Sequence, residues 1–293
     1  MIDGPAKLSR RALMVAGGGM AIGTAAPLRA GMPTGETPAP EAEACFLMPD
    51  VVDGPYYVSK AIPRRDIAQG RPGIALDMKV RIVDTACRPI VGARVDSWQA
   101  DAQGIYSGYA QQGDDLQAST IGQDYLRGTQ MTDVDGWVLF QSIFPGWYRG
   151  RTAHVHFKIY IGGRTRLTAQ MYFPDALNEF IYTQVPGYTR ALTRDTVNVA
   201  DWILAEGTHR SMANIREEAD RYVASITFGV DPMATPAPSE MPPMPGGTVG
   251  KPPGAPPPPS TRTLAGAERI DALIPSPAAL TRPRPAKPGS RPK

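Results

Sequence analysis

The chain has 293 residues, of which 42% are hydrophobic and 20% are charged, and its formal net charge at pH 7 is +3. These values are typical of a soluble globular protein. Basic residues are concentrated at the C-terminal end, where no acidic residue accompanies them after residue 280. The rest of the chain is therefore nearly neutral, and the sequence predicts no nucleic-acid partner.

The N-terminal segment has the pattern of an export signal. Arg10 and Arg11 precede an uncharged run that is rich in Ala, Gly and Met and ends near Pro27. This run is too short for a stable membrane span, and adjacent arginines before a mildly apolar run are typical of a twin-arginine signal. We therefore expect a signal over residues 1–30, a linker over residues 31–42, and a periplasmic or secreted protein.

The two cysteines, Cys45 and Cys87, are too few for a disulfide scaffold and do not have the CxxC spacing of a zinc or redox site. In an oxidising compartment, two cysteines of one domain tend to pair. The sequence therefore predicts a disulfide bond between Cys45 and Cys87. The alternative is two separate buried thiols.

From Leu76 onward, short segments of alternating polar and apolar residues are separated by turn signals such as Ala102–Gly104 and Asp133–Gly136. Many short strands at this spacing predict an all-β fold, an antiparallel β-sandwich. The predicted strands are Leu76–Asp84, Ala93–Trp98, Trp137–Ser142, Val155–Ile161, Thr165–Phe173 and Tyr222–Phe228.

Two short helices are predicted outside the sandwich, one over Val199–Ala205 and one from Ser211 to about Arg221. After Val230 the composition shifts to proline, glycine, serine and threonine. Such a segment buries too little apolar surface to offset the entropy lost on ordering. We therefore expect a folded domain over residues 43–230 and a disordered, basic, proline-rich tail over residues 231–293.

A His-x-His pair lies on the predicted strand within Ala153–Ile161. Alternate residues of a strand point to the same side, so His154 and His156 share one face. Neutral imidazole nitrogens bind zinc, copper, iron and nickel alike. The chain has only three histidines, and two of them share this face. The pattern favours a metal site over two ordinary polar residues, but by itself it does not select the metal.

Seven short segments follow one another in the order that is typical of a known family. They are Gly54–Tyr56, Val95–Asp101, Gly104–Tyr106, Thr132–Gly136, Pro145–Tyr148, Arg151–His156 and Thr168–Phe173. On these segments the chain resembles the intradiol ring-cleavage dioxygenases, the family of the protocatechuate and catechol dioxygenases, over about residues 45–230. One departure is that the step from Tyr148 to His154 is short for this family.

The resemblance implies a mononuclear non-haem Fe(III) cofactor held by two tyrosinates and two histidines. On the matching positions these ligands are Tyr106, Tyr148, His154 and His156. Two anionic oxygen donors favour ferric over ferrous iron. A tyrosine, whose ordinary pKa is about 10, becomes a phenolate at neutral pH only beside a strong cation.

The resemblance also implies catalytic roles for Tyr148, Arg151 and Gln170. Tyr148 matches the ligand that the substrate displaces and that then accepts a substrate proton. Arg151 matches an arginine that stabilises negative charge developing on the ring. Gln170 matches a second polar group beside the reacting carbons.

The implied reaction is the cleavage of a catechol-type ring between its two hydroxylated carbons by O2, giving a cis,cis-muconate-type diacid in the catabolism of aromatic compounds. One wall of the substrate pocket matches Gly54, Pro55 and Tyr56. The sequence does not choose among catechol, protocatechuate, hydroxyquinol and lignin-derived diols, and it leaves a homo-oligomer open.

Two alternative functions come from other classes of protein. The first is a non-enzymatic, transthyretin-like β-sandwich that binds a ligand. Such domains share the turn residues of this chain but lack the His-x-His pair together with both tyrosines. The second is a copper or zinc protein that uses His154 and His156, either alone or together with His209.

Overall fold

Two four-stranded β-sheets form the folded region in the computed structural model, which describes residues 46–206 and 209–236. The strands are β1 Ala75–Val83, β2 Arg94–Trp98, β3 Arg127–Met131, β4 Trp137–Ile143, β5 His154–Ile161, β6 Arg164–Tyr172, β7 Asn214–Glu217 and β8 Tyr222–Gly229. One sheet has the order β4-β1-β8-β7 and the other has the order β3-β2-β5-β6. All of these strands belong to one compact unit, Glu43–Lys293.

Most neighbouring strands are antiparallel, which confirms the predicted all-β sandwich. The exception is the pairing of β1 with β8, which is parallel over Leu76–Val83. Parallel neighbours cannot be joined by a tight hairpin, and here most of the domain lies between the two strands. Local alternation could not reveal this pairing, because it joins the beginning of the domain to its end.

The two sheets enclose the main core. Phe157 of β5 contacts Phe140 of β4 and Phe228 of β8, with ring centroids 6.5 Å and 5.5 Å apart, and all three rings are buried. Val155 and Ile159 share the inward face of β5 with Phe157. Their packing against the opposite sheet leaves the outer face of the sheet β3-β2-β5-β6 available for other side chains.

Six strands agree with the sequence prediction to within one or two residues, whereas β3 and β7 were not predicted. The sequence of β3, Arg-Gly-Thr-Gln-Met, shows no apolar alternation. The turn Asp133–Gly136 is confirmed, since the Gly136 N–H donates to Asp133 O at 3.0 Å. This turn joins β3 to β4 and so carries the chain from one sheet to the other.

One of the two predicted helices is correct. Helix α2, Trp202–Glu206, follows a 3-10 turn at Asn198–Ala200 and overlaps the predicted Val199–Ala205. The predicted helix from Ser211 to about Arg221 is wrong, because Asn214–Glu217 is strand β7 and pairs with β8. The edge of the sheet supplies hydrogen-bond partners for this polar segment, and no local signal could show that edge.

Helix α1, over Asp175–Gln184, is the longest helix in the described part of the chain, and it was not predicted. It follows β6 directly, begins after Pro174 and has Asp175 in its first turn. Only Asn178, Ile181 and Tyr182 of this helix are buried. With so few buried residues the apolar periodicity is short, and this explains why the pattern was missed.

Several predictions concern residues outside the described ranges. These are the export signal over residues 1–30, the linker over residues 31–42, Cys45, and the tail from residue 237 onward. Cys87 is disulfide-bonded, but the pairing with Cys45 stays a prediction. No helix within the described ranges is both long enough and apolar enough to cross a membrane.

Candidate active site

Strand β5 presents both histidines on the outer face of its sheet. His156 lies opposite Trp98 of β2 on one side and Gln170 of β6 on the other, and His154 lies opposite Tyr172. The Trp98 indole stacks on the His156 imidazole with ring centroids 4.7 Å apart and planes 9° apart. The sheet register therefore fixes the backbone position of each histidine, and the Trp98 indole restricts the orientation of the His156 ring.

The four predicted ligands converge at this face. His154 Nε2 lies 3.0 Å from His156 Nε2, 3.4 Å from the Tyr106 hydroxyl and 3.3 Å from the Tyr148 hydroxyl. Tyr106, His154 and His156 are buried, and Tyr148 is partly buried. The structure thus brings together, from a loop, a turn and a strand, four side chains that the sequence separates.

The arrangement fits one metal ion. His154 Nδ1 donates to the Thr152 carbonyl at 2.7 Å, so His154 Nε2 presents its lone pair to the other donor atoms. Two ligand atoms about 2.1 Å from one ion and at right angles to each other lie about 3.0 Å apart. Within the described part of the chain, no group of three His, Cys, Asp or Glu residues could hold a metal. A metal at this site would therefore depend on the two tyrosines.

Burial sets the charge of these four groups in the absence of a metal. It lowers the pKa of His154 and of His156 well below the ordinary value, and the charge of Arg151 contributes in the same direction. It raises the pKa of Tyr106 well above its ordinary value and also raises that of Tyr148. The imidazoles are therefore neutral and ready to act as ligands, whereas each phenol must release its proton when it binds a cation.

The Tyr106 ring is held in place by its neighbours. It stacks on the Tyr56 ring, with centroids 4.3 Å apart and planes 17° apart. The Tyr106 N–H donates to Gln112 Oε1 at 3.1 Å, and the Tyr106 carbonyl accepts a hydrogen bond from Thr120 Oγ1 at 2.7 Å. Because these contacts fix both the ring and its backbone, the hydroxyl stays directed at the site.

A tight turn positions Tyr148. The Arg151 N–H donates to the Tyr148 carbonyl at 3.1 Å, and Gly150 between them has a φ of +79°, which glycine adopts without the strain of a side chain. The Gly150 N–H donates to the Asp195 carboxylate at 3.1 and 3.3 Å. Arg149 occupies the exposed corner of this turn. The short step from Tyr148 to His154 is therefore an ordered connection.

Arg151 lies beside the histidines in a buried polar network. Its Nε donates to Asp201 Oδ2 at 2.8 Å, and its Nη2 donates to Gln170 Oε1 at 2.6 Å and to the Tyr172 hydroxyl at 3.2 Å. The Arg151 side chain is 7% exposed and that of Asp201 is 0% exposed. The nearby Asp201 carboxylate offsets the burial of the guanidinium and raises the pKa of Arg151 above its ordinary value, so the group stays charged.

Asp201 was not singled out from the sequence. Its Oδ2 accepts the Thr152 N–H at 2.9 Å in addition to Arg151, while its Oδ1 accepts the N–H groups of Ile203 and Leu204 at 3.1 Å. An aspartate before the first turn of a helix is an ordinary N-cap signal. That signal could have located the residue but could not have shown its contact with Arg151.

Gln170 offers a free donor to the site. Its Oε1 accepts hydrogen bonds from Arg151 and from the Tyr172 hydroxyl, which lies at 2.6 Å. A guanidinium can only donate, so the amide oxygen must face Arg151. The buried Gln170 Nε2 has no hydrogen-bond partner within the described part of the chain. A bound ligand opposite His156 could accept a hydrogen bond from it.

The predicted pocket wall lies against the same residues. A Cβ on Gly54 would make an ordinary van der Waals contact of 3.4 Å with His156 Cε1, and the φ of Gly54, +73°, is one that other residues adopt only with strain. Pro55 is partly buried, and Tyr56 stacks on Tyr106 as described above. The structure therefore places Gly54 and Tyr56 next to the proposed ligands.

Arg127, which the sequence analysis did not select, connects this wall to the Tyr106 loop. Its Nη1 donates to the Tyr56 carbonyl at 2.7 Å, its Nη2 to the Ser107 carbonyl at 2.7 Å, and its Nε to Ser107 Oγ at 2.9 Å. Burial lowers its pKa. Among the described residues it forms no ion pair with a carboxylate. The guanidinium thus serves as a hydrogen-bonded link between two segments of the site.

A cleft of about 100 Å³ opens beside these residues, and we call it the tyrosine cleft because Tyr56 and Tyr148 both line it. Gly104 and Gly113 contribute surface without side chains, and Arg149 and Arg190 line it with positive charge. Tyr148, one of the four converging groups, is therefore in contact with space that a small molecule could enter.

Comparison with known proteins finds relatives that are named dioxygenases. A family model described as Dioxygenase matches residues 52–201. Hydroxyquinol 1,2-dioxygenase from Rhizobium sp. (strain MTP-10005) is 31% identical over 145 residues, 42% of this chain and 46% of the relative. The beta chain of protocatechuate 3,4-dioxygenase from Burkholderia cepacia is 32% identical over 125 residues, 39% of this chain and 51% of the relative.

The fold of this chain is also similar to that of a solved dioxygenase structure. The intradiol ring-cleavage dioxygenase from Tetranychus urticae is 31% identical, with a TM-score of 0.58 over 65% of this chain and 96% of that chain. This chain spans about half the length of the curated relatives it matches. The family-model match covers half of the chain and contains the four converging side chains. The chain therefore belongs to the intradiol ring-cleavage dioxygenase family, whose members are oxidoreductases.

Proposed function

We propose that this protein is an Fe(III)-dependent dioxygenase that cleaves a catechol-type ring between its two hydroxylated carbons, with O2 as co-substrate and a cis,cis-muconate-type diacid as product. The supporting observation is the convergence of two phenol oxygens and two imidazole nitrogens, with His154 Nε2 between 3.0 and 3.4 Å from the other three. Membership in the intradiol family supports the same reaction class.

Tyr106, Tyr148, His154 and His156 would hold the ferric ion. When bound, this ion would draw both catechol oxygens toward it and make the ring carbons reactive toward O2. Two phenolate donors are the reason to propose ferric rather than ferrous iron, because hard anionic oxygens stabilise the higher charge.

Tyr148 would move one proton. It lines the tyrosine cleft, where a substrate hydroxyl can approach its own hydroxyl group. Its phenol has a pKa that burial raises and that the charge of Arg151 lowers in part. As a phenolate beside a catechol, Tyr148 would accept the proton of one hydroxyl at its own oxygen atom.

Arg151 and Gln170 would stabilise negative charge on the bound ring. The Arg151 guanidinium is fixed in place by Asp201, and it holds the amide oxygen of Gln170. The free Gln170 Nε2 is then available to donate a hydrogen bond to the substrate. Both groups are already oriented before reaction, so no reorganisation is needed as charge develops.

Aromatic side chains would keep bulk water from the reacting atoms. Tyr56, Trp98 and Tyr106 form a buried cluster that Tyr57 and Tyr109 cover. Exclusion of water strengthens the electrostatic effect of Arg151 and protects reactive species from side reactions.

The decisive experiment has a spectroscopic readout and a product readout. Purified protein loaded with Fe(III) should bind about one ion per chain and show a visible phenolate-to-iron absorption band. With 18O2, both labelled atoms should appear in a ring-opened diacid. A well-folded protein that stays colourless with iron and cleaves no catechol would overturn the proposal.

The same experiment addresses the remaining alternative. A zinc or copper protein that used His154 and His156, with or without His209, would show no iron band, and zinc would leave it colourless. His209 begins a 3-10 turn, His209–Ser211, but its side chain lies outside the described part of the structure. The transthyretin-like binding domain is set aside because the chain belongs to an enzyme family.

We also propose that the protein is exported through the twin-arginine route. Arg10 and Arg11 supply the signal, and the disulfide bond at Cys87 supports an oxidising compartment. That route transports proteins that are already folded, often with a cofactor bound, which suits a metalloprotein.

A further inference from the structure

The rim of the tyrosine cleft carries more positive than negative charge. Arg149 and Arg190 line it together with one acidic residue, Asp114. Arg190 Nη1 lies 3.3 Å from Asp114 Oδ1, so these two charges largely offset each other. Arg149, by contrast, forms no ion pair with any residue that the structure describes around the cleft.

Arg190 is committed to the protein framework. Its Nη1 donates to the Gln103 carbonyl at 2.7 Å and its Nη2 to the Trp147 carbonyl at 2.9 Å. Its guanidinium carbon lies 3.7 Å from the centroid of the Trp147 ring. These contacts use the planar face and both terminal nitrogens, so Arg190 is poorly placed to bind a ligand directly.

Arg149, unlike Arg190, is not held by contacts of its side chain within the described part of the structure. Its side chain is exposed, and it forms no hydrogen bond or ion pair with any other residue that the structure describes. Its backbone is fixed, because the turn is closed by Arg151 and held by the hydrogen bond from Gly150 to Asp195. Arg149 also follows Tyr148 directly. An unengaged guanidinium therefore sits on a rigid base next to a proposed ligand.

We propose that Arg149 is a specificity-determining residue that selects catechols bearing a carboxylate substituent over neutral catechols. The inference rests on the proposed function, since it places the two ring hydroxyl groups at the converging donor atoms. A ring held there would lie beside Tyr148, which lines the tyrosine cleft. The volume of the cleft, about 100 Å³, leaves room for a small substituent.

The guanidinium chemistry favours a carboxylate. Arginine binds a carboxylate through two parallel, charge-assisted hydrogen bonds, and a neutral hydroxyl or methyl substituent offers no such partner. The carboxylate could be attached to the ring directly or through a short side chain, and both share this recognition. Because Arg149 is exposed, we expect an effect of about tenfold, which is at the lower end for a charge-assisted bond.

The test compares iron-loaded wild-type protein with Arg149→Gln, Arg149→Lys and the control Arg164→Gln. Arg164 is also exposed, and it lies at the start of β6, away from the cleft. For catechol, protocatechuate and caffeate, two quantities are measured: anaerobic affinity by calorimetry, and kcat/KM for ring opening in air. Protocatechuate carries its carboxylate on the ring, whereas caffeate carries it on a side chain, so the two separate the possible positions.

The wild type should prefer at least one carboxylated catechol over catechol, and Arg149→Gln should lower that preference about tenfold in affinity and in kcat/KM. Arg149→Lys should retain part of the preference, Arg164→Gln should retain all of it, and added salt should weaken it. An unchanged preference in Arg149→Gln, or no preference in the wild type, would overturn the inference. Preferential binding without ring opening would instead count against the proposed function alone.

Discussion

At the residue scale, one carboxylate links the proposed charge-stabilising group to the frame of the site. Asp201 binds Arg151 and the Thr152 N–H with one oxygen and caps α2 with the other. Removing one partner from a buried ion pair leaves the other as an uncompensated charge. Variants of Arg151 therefore change stability as well as chemistry, and these two effects must be separated.

We predict that Arg151→Ala lowers turnover by about two to three orders of magnitude while leaving iron content and resting colour largely intact. It should also lower the free energy of unfolding by about 3–5 kcal/mol, because Asp201 remains buried without its cation. The measurements are steady-state kinetics, metal analysis and denaturant unfolding.

The double variant Arg151→Ala/Asp201→Asn provides the control. It should recover only part of the lost stability: no charge is then left unpaired, but both Asp201 oxygens accept backbone N–H groups and an amide replaces only one of these acceptors. It should not recover turnover. Cleavage at the wild-type rate in either variant would show that Arg151 is only structural.

Tyr106 supplies a second prediction at this scale. Tyr106→Phe keeps the ring that stacks on Tyr56 but removes the hydroxyl that lies 3.4 Å from His154 Nε2. Visible absorption of the iron-loaded protein should therefore shift strongly or vanish, while the unfolding midpoint changes little. Tyr109→Phe, whose hydroxyl donates to the Tyr57 carbonyl instead, is the matched control and should keep the band. An identical spectrum in Tyr106→Phe would remove Tyr106 from the ligand set.

At the scale of elements, the site depends on segments that approach the outer face of one sheet from different parts of the chain. Strand β5 carries the histidines, a turn carries Tyr148, and a loop carries Tyr106. The entry segment with Tyr56 covers them. Side-chain hydrogen bonds between these segments, more than regular secondary structure, keep the loops in register with the strand.

A variant of Arg127 tests whether side-chain hydrogen bonds hold the segments of the site together. Arg127→Met removes the donors to the Tyr56 and Ser107 carbonyls and should lower the free energy of unfolding by about 1–3 kcal/mol. Because the Tyr56–Tyr106 stack loses its support, the visible band of the iron-loaded protein should also broaden or shift. Denaturant unfolding and absorption spectra measure the two effects. The matched control is the exposed Arg164→Met, which should do neither, and a silent Arg127→Met would contradict this role.

At the scale of the whole molecule, compartment and redox state are linked. Cys87 is disulfide-bonded, and the chain has one other cysteine, Cys45. A disulfide bond persists in an oxidising compartment and is rare in the cytosol of most organisms. Export would therefore allow the covalent bond to form and remain.

We predict that replacing Arg10 and Arg11 with Lys keeps the protein inside the cell, because the twin-arginine pair is what the export machinery recognises. Exported wild-type protein should show no free thiol until it is reduced, and then two. Cell fractionation and thiol titration test both points. Normal export of the Lys variant would contradict the signal, and two reactive thiols in native exported protein would contradict the Cys45–Cys87 pair.

The sequence by itself determined the elements whose signals are local. Alternation along β5 placed His154 and His156 on one face, and the same pattern located, to within two residues, six of the eight strands that the structure describes. The order of short segments also identified the family and selected Tyr106, Tyr148, Arg151 and Gln170. These features can be predicted from the sequence because each depends on residues that are close together in the chain, or on the spacing between short segments.

Only the tertiary structure decided which distant groups meet. The Arg151–Asp201 pair joins residues 50 positions apart, and the Arg127–Tyr56 contact joins residues 71 positions apart. Strand β7 is a strand because β8 offers it an edge, although its own residues read as helical. The role proposed for Arg149 depends on the cleft beside it, which only the fold creates. In each case the partner is supplied by folding, so no local pattern could have predicted it.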